Sequence, residues 1–401
     1  MDSVKDPVDL GLKKIRCVEM HTTGEPTRIV YDGFPSLQGT LLEQRAQAKR
    51  DHDCVRARLM LEPRGHSDMY GAVLCPQTEL VGSGEAHMGV LFMTNDGFST
   101  MCGHATIALG RFLVDMHDKT VFPKRAKLRH NPDSRTTELN LHTPCGIVAV
   151  IVPTVADGSR SDPAKPVSFI SVPSFATGVQ VEVPLPAEYR WPQLGARTSV
   201  LADFAYGGAF YCMVSHAELG FDEALDEAPK VNLHEYSHAT ERLKSAINAN
   251  PDLKPLLRHP YSLDLGFLYS IMVVDDSLGV AARGSSGVET GLCFFADQQV
   301  DRSPTGGAVA ARVALAYAKG ARALGQRWTY HSLLSNACGG KGAFVGAPCA
   351  EVEIGGAEGI AKRGVRVKIE GQAFYTGFSS FIVETHDFLP QGGFAFRSLA
   401  S

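Results

Sequence analysis

The sequence lacks the features that announce several large classes of protein. No stretch of its 401 residues approaches the roughly 18 consecutive apolar residues that a membrane helix needs. Charge of one sign is not in surplus: 39 Lys and Arg face 43 Asp and Glu, the net charge is −4, and no basic block occurs. That argues against nucleic acid or a membrane surface as the main partner. No Cys-x-x-Cys pair occurs among the nine scattered cysteines, Cys17, Cys54, Cys75, Cys102, Cys145, Cys212, Cys293, Cys338 and Cys349. Neither a disulfide framework nor a cysteine zinc site fits that spacing. The expectation is reduced thiols in a cytoplasmic protein, most of them packed as small hydrophobes. The opening Met1-Asp2-Ser3-Val4-Lys5-Asp6 has no apolar core, so no secretory signal is expected.

What is present describes a folded chain. Charged residues make up 20% and hydrophobic ones 44%, which excludes a disordered polymer. The length suggests about two or three domains. Glycine is abundant, with 40 residues, and implies many tight turns and close backbone approaches. Short apolar runs punctuated by Gly and Pro read as strands at 15–20, 72–74, 90–93, 146–152, 168–172, 211–214, 269–274, 292–295, 365–369 and 381–383. Helical periodicity appears at 40–61, 103–114, 234–249 and 306–324. The polar stretch 154–168 reads as a link between two α/β halves.

Those halves share a pattern. The run 90–93 leads through a polar connection to Met101-Cys102-Gly103-His104, opening a helix. The run 292–295 leads likewise to Pro304-Thr305-Gly306-Gly307, with Ser303 as the expected N-cap and Pro304 at the first helical position. A helix start offers unpaired N–H groups and a partial positive charge, so it binds a carboxylate. Glycine there lets a ligand come close. The same field lowers a thiol's pKa and favours a thiolate at Cys102. Two such starts facing one another would hold an amino acid by its carboxylate and leave Cys102 beside the α-carbon. Local spacing alone leaves other readings open: a packed cysteine, a capping His104, and a simple capping turn at 301–304.

Met101-Cys102-Gly103-His104 and Asp301-Arg302-Ser303-Pro304-Thr305-Gly306 together resemble the proline racemase family. The resemblance extends to the segments 21–28, 62–71 and 371–377, and covers about residues 15 to 385. It implies a fold like that of diaminopimelate epimerase. This is an α/β (α+β) protein of two similar halves, each a mixed β-sheet or barrel-like layer around a central helix. The active site then lies in the cleft between 1–160 with 380–401 and 161–379. Racemases and epimerases of the family carry a cysteine at each helix start. Cys102 matches the first; Thr305 stands at the second. Gly103, His104, Gly306 and Gly307 match positions that hold the substrate carboxylate, Asp301 the acid that pairs with the ring ammonium, and Phe295 an aromatic packing on the ring.

Thr305 decides the subclass implied. A hydroxyl hydrogen-bonds but is too weak an acid–base group to trade protons near neutral pH. Cys followed by Thr resembles the members that dehydrate trans-3-hydroxy-L-proline to Δ1-pyrroline-2-carboxylate. In that substrate the α-hydrogen and the 3-hydroxyl lie on one ring face, so a single base suffices. The scheme implies no metal and no organic cofactor, a small-molecule substrate, and, as often in the family, a homodimer. A hydroxyproline epimerase or proline racemase-type isomerase is the alternative; a non-catalytic binder of proline analogues is another. Two local departures stand out: Thr23 where many relatives have a second Gly, and, after Thr305, the run Gly306-Gly307-Ala308-Val309-Ala310 where racemases commonly have Gly-Thr-Gly-Thr, which removes hydroxyls near the carboxylate.

One competing motif remains. His234-Glu235-Tyr236-Ser237-His238 spells the His-Glu-x-x-His zinc signature, with both histidines one helical turn apart. No third ligand follows at a known spacing, and a surface helix is the favoured reading over a zinc peptidase.

Overall fold

The computed structural model describes residues 10–225, 231–355, 362–384, 386–387, 389 and 392–395. Its first unit starts with β1 (Ile15–Thr22) and β2 (Glu25–Asp32), an antiparallel hairpin. Thr23 and Gly24 form its turn with φ of 51° and 79°, the positive values a two-residue hairpin turn demands. Helices α1 (Leu41–Asp51) and α2 (Asp53–Met60) follow. Then β3 (Gly71–Cys75) joins β2 in parallel. After α3 (Glu79–Ser83), β4 (Met88–Met93) runs antiparallel to β3 and pairs with the short β5 (Phe98–Ser99). The chain then enters α4 (Gly103–Asp115). Beyond β6 (Arg129–Asn131), β7 (Thr136–Thr143) lies parallel to β4, and β8 (Gly146–Pro153) and β9 (Val167–Ile170) complete a meander.

The second unit repeats the ladder. β10 (Phe175–Pro184), β11 (Ser199–Tyr206) and β12 (Phe210–Ser215) are antiparallel neighbours. After α5 (Leu233–Ala249), β13 (Leu268–Asp275) joins β12 in parallel, and β14 (Val288–Phe295) and β15 (Gln299–Val300) follow antiparallel. The chain enters α6 (Gly306–Ala318), and then β16 (Trp328–His331) lies parallel to β14. Helix α7 (Leu333–Ala337), β17 (Phe344–Ile354) and β18 (Lys362–Gly371) close the repeat. Every pairing direction matches its counterpart in the first unit. The last strand, β19 (Ala373–Phe381), pairs with β1 as β10 pairs with β11. β9 pairs with both β8 and β18, so all nineteen strands form one mixed sheet.

Each unit wraps around one helix. α4 packs on β1, β2, β8, β9 and β19, and α6 on β10, β11, β12, β17 and β18. From Gly103 to Val114 all of α4 is buried, and so is α6 from Gly306 to Leu315. A helix apolar on every side belongs in a core rather than on a surface. Among the described residues no helix is long and apolar enough to cross a membrane.

Several expected boundaries moved. The helix read at 40–61 is two helices, interrupted at His52, and the one read at 306–324 stops at Ala318, just before Gly320 turns left-handed with φ of 71°. The strand read at 381–383 is the end of β19, which stops at Phe381. Strands such as β7 and β10 escaped the sequence reading because they mix buried apolar residues with Thr, Glu, Asn and Gln. The polar stretch 154–168 is tied down: Thr154 bridges to Ser161, whose amide and hydroxyl donate to Asp115 at the end of α4 (2.6 and 2.8 Å).

Candidate active site

In each unit a strand, a tight turn and a two-residue strand deliver the chain to the start of the central helix. The two helices meet head to head. A Cβ added to Gly103 would lie 2.4 Å from the Gly306 Cα, and one added to Gly306 would lie 2.7 Å from the Gly103 Cα. Only glycine at both positions permits that approach. The positive ends of both helix dipoles therefore converge on one small space, an arrangement suited to an anion.

That space is a small, tightly walled cavity. All eight residues singled out in the sequence line it: Cys102, Gly103, His104, Phe295, Asp301, Thr305, Gly306 and Gly307. Four more complete the wall, Tyr70, Met101, Tyr211 and Tyr269. Gly307 has a local reason to be glycine, since a Cβ there would sit 2.5 Å from the Tyr211 hydroxyl oxygen.

Cys102 is the N-cap of α4, in an extended conformation. Its sulfur accepts the Ala105 amide (3.3 Å) and lies 3.2 Å from His104 Nδ1. Here the structure corrects one expectation. Burial pushes the thiol pKa well above its ordinary 9, and the nearby carboxyls of Asp301 and Glu25 push the same way. Hydrogen bonds from the Ala105 amide and the Tyr70 hydroxyl oppose the rise without cancelling it. Desolvation thus outweighs the helix field and favours a neutral thiol. Burial also lowers the His104 pKa to about 4, although Asp301 stands 4.0 Å from its Nδ1, so the ring is neutral at physiological pH.

The second helix start is built differently. Thr305, not Ser303, is the N-cap of α6, and Pro304 lies before the helix rather than in its first turn. Ser303 Oγ instead accepts the Thr305 amide (3.1 Å), while Asp301 accepts the Ser303 amide (2.7 Å). Thr305 adopts a left-handed conformation, φ 60°, and its side chain caps nothing. Its hydroxyl donates to Asp301 Oδ2 (2.8 Å). The turn at 301–304 is therefore not the helix cap expected as the plain alternative, since no side chain caps α6; it carries Asp301 to the cavity wall.

Three aromatic residues lie against each other along one side. Phe295 stacks on Tyr269 (centroids 5.8 Å apart) and packs on Tyr70 (6.0 Å), which meets His104 edge-on (4.6 Å). The Tyr70 and Ser99 hydroxyls are 2.7 Å apart. Sequence reasoning missed the tyrosines as site residues. Tyr70 was visible only as a member of the 62–71 segment, while Tyr211 and Tyr269 sit in apolar strand runs that read as core. A larger cleft beside the cavity is lined by Ser99, Lys244 and Tyr269, among others, and so shares a wall with it.

The zinc signature lies elsewhere. His234, Glu235 and His238 are on α5, which turns Tyr236, Ala239, Leu243 and Ile247 inward. His234 is exposed, and His238 Nε2 accepts a hydrogen bond from Arg242 (3.3 Å). Among the described residues no group of three or more His, Cys, Asp or Glu is placed to hold a metal ion.

A doubled mixed-sheet fold, with two central helices meeting at glycine above a thiol and a carboxylate, defines a class of α/β protein with one buried site. The sequence profile described as Proline racemase matches residues 17–395, and the chain belongs to that family. It is 41% identical over 389 residues to the trans-L-3-hydroxyproline dehydratase of Bos taurus, covering 96% of each chain. It is 40% identical over 390 residues to the trans-3-hydroxy-L-proline dehydratase of Homo sapiens, again covering 96% of each. The solved structure of a probable proline racemase from Agrobacterium radiobacter K84 shares the fold, with a TM-score of 0.75 at 23% identity over 96% of this chain and 97% of that one.

Proposed function

We propose that this protein is a hydro-lyase that removes water from trans-3-hydroxy-L-proline, with Cys102 as its single base. The observation that carries this reading is the unequal pair of helix starts. Cys102 offers a sulfur that accepts hydrogen bonds, while the Thr305 hydroxyl gives its proton to Asp301. A threonine so engaged cannot take or return an α-proton on the far face, which disfavours racemisation. The relatives named as dehydratases support the same reading.

The converging amides at Gly103, His104, Gly306 and Gly307 hold the substrate carboxylate and stabilise the enediolate that forms as the α-proton leaves. Asp301 pairs with the ring ammonium, and Phe295 packs on the ring. That pairing neutralises the carboxylate that raises the Cys102 pKa and so favours the thiolate. A thiolate of high pKa is in turn a strong base toward a carbon acid. Cys102 takes the α-proton, the electron pair forms the C2–C3 double bond, and the 3-hydroxyl departs from the same face. The enamine tautomerises to the cyclic imine. This scheme uses neither metal nor organic cofactor.

The repeated ladder supports two halves, with the division between β9 and β10, somewhat after the expected residue 160. The pairing of β19 with β1 supports drawing the return to the first half at about residue 372, somewhat before 380. Exposed Phe374 and Phe378 on β19 support a homodimer, for which light scattering should give twice 43.1 kDa.

The function is tested by incubating the purified protein with trans-3-hydroxy-L-proline and trapping the imine with 2-aminobenzaldehyde. Colour with this isomer, and none with L-proline or trans-4-hydroxyproline, is expected. Inversion at the α-carbon without imine would establish an isomerase instead. A ligand-induced rise in melting temperature without turnover of any isomer would establish a binder.

A further inference from the structure

Elimination on one face requires a proton for the departing oxygen as well as a base for the α-hydrogen. Hydroxide is a poor leaving group and needs a proton as the C–O bond breaks. Thr305 belongs to the opposite helix start and spends its proton on Asp301. His104 is neutral with a pKa of about 4, and its ring lies against Cys102 and Tyr70. Of the three tyrosines in the cavity wall, Tyr211 and Tyr269 come from β12 and β13 of the second unit, and Tyr70 from the first. Tyr70 precedes β3 in the same unit as Cys102, is 1% exposed and lines the cavity with it. Its oxygen lies 2.7 Å from Ser99 Oγ, on the short strand that leads into Cys102. Ser99 lines the adjoining cleft.

We propose that the Tyr70 hydroxyl, held by Ser99 in the same cavity wall as Cys102, receives the substrate's 3-hydroxyl and passes it the proton with which it leaves as water. The inference rests on the dehydratase reading above. The step balances without an outside reagent. The α-C–H bond breaks as its proton goes to the Cys102 sulfur, and the electron pair forms the C2–C3 double bond. The C–O bond breaks while Tyr70 gives its proton to the departing oxygen. The proton on Cys102 then moves to the Tyr70 oxygen, restoring thiolate and phenol together. Tyr70 never has to persist as a buried tyrosinate, a form that burial strongly disfavours. The same hydroxyl also selects a substrate with a polar group at position 3, on the face opposite the carboxylate.

The test exploits a leaving group that needs no proton. Wild type, Tyr70→Phe and Ser99→Ala are compared on trans-3-hydroxy-L-proline and trans-3-fluoro-L-proline, both followed as trapped imine. Loss of fluoride gives the same enamine without an acid. Tyr70→Phe is expected to lose about 10²-fold in kcat on the hydroxy compound, the scale of one general acid. It should stay within about threefold of wild type on the fluoro compound, since Cys102 still takes the α-proton. Ser99→Ala keeps the phenol but removes its partner, and should show the same selectivity with a smaller loss. It carries the test if Tyr70→Phe folds poorly. Equal losses on both substrates would make Tyr70 a support for Cys102 and overturn the proposal. No loss on either would overturn it as well. Wild type inert on both compounds would instead overturn the dehydratase reading itself.

Discussion

The two helix starts are built on one plan and finished for opposite tasks. Each follows a strand, a turn and a two-residue strand, and each begins with glycine pressed against the other's glycine. At the first, an extended N-cap cysteine accepts a backbone amide and faces the cavity with its lone pairs. At the second, a left-handed N-cap threonine turns away from capping and donates to Asp301. On the proposed reading the shared scaffold binds a carboxylate from both sides, the side chain at the N-cap decides whether that side carries a proton, and only the Cys102 side does.

Removing the first side chain should have the largest effect. Cys102→Ser is expected to lower kcat on trans-3-hydroxy-L-proline by about 10³-fold or more, since a hydroxyl replaces the only thiol base. An imine assay with unchanged melting temperature checks it. Asp301→Asn comes next. It removes the ammonium partner while preserving shape, and should raise KM by about 10- to 100-fold, the scale of one charged hydrogen bond. Gly306→Ala attacks the plan common to both halves. Its Cβ would meet the Gly103 Cα at 2.7 Å, so the helix starts must part, at about 1–3 kcal/mol of overpacking. Denaturant unfolding measures that loss. The smallest effect is a matter of slope. With the Cys102 pKa raised by burial, kcat/KM should climb with pH from neutral into the alkaline range. His104, held near 4, should add no inflection around 6.5.

Much of this contrast was legible in the sequence, for definite reasons. A strand, a polar turn and Gly at a helix start form a local pattern, and Cys102, Thr305 and Asp301 lie within such patterns. The eight residues read from them all line one cavity. Three things were not legible. The thiol's raised pKa depends on burial by both units, while the sequence displays only the local helix field that acts the other way. The left-handed turn at Thr305 depends on Asp301 and Ser303 gripping neighbouring amides and the Thr305 hydroxyl. Tyr70, Tyr211 and Tyr269 come from separate strands and meet only when the sheet is complete. Tyrosine in an apolar run looks the same whether it faces a core or a substrate. The fold followed the same division: both buried central helices begin where expected, whereas strands such as β7 and β10, with polar residues among their buried ones, appeared only in the structure.

The central claim is that protons move on one face only, and the stereochemistry of unreacted substrate tests it most directly. Trans-3-hydroxy-L-proline should be incubated with the protein in D₂O, stopped at half conversion, and the remaining amino acid resolved by chiral chromatography. The account predicts imine, together with residual substrate that keeps the L configuration whether or not it has acquired deuterium. Thr305→Cys, which supplies a second thiol on the far face, should generate deuterated cis-3-hydroxy-D-proline. The appearance of that epimer with the unaltered protein would contradict the account, because a proton would then have arrived from the side where only Thr305 stands.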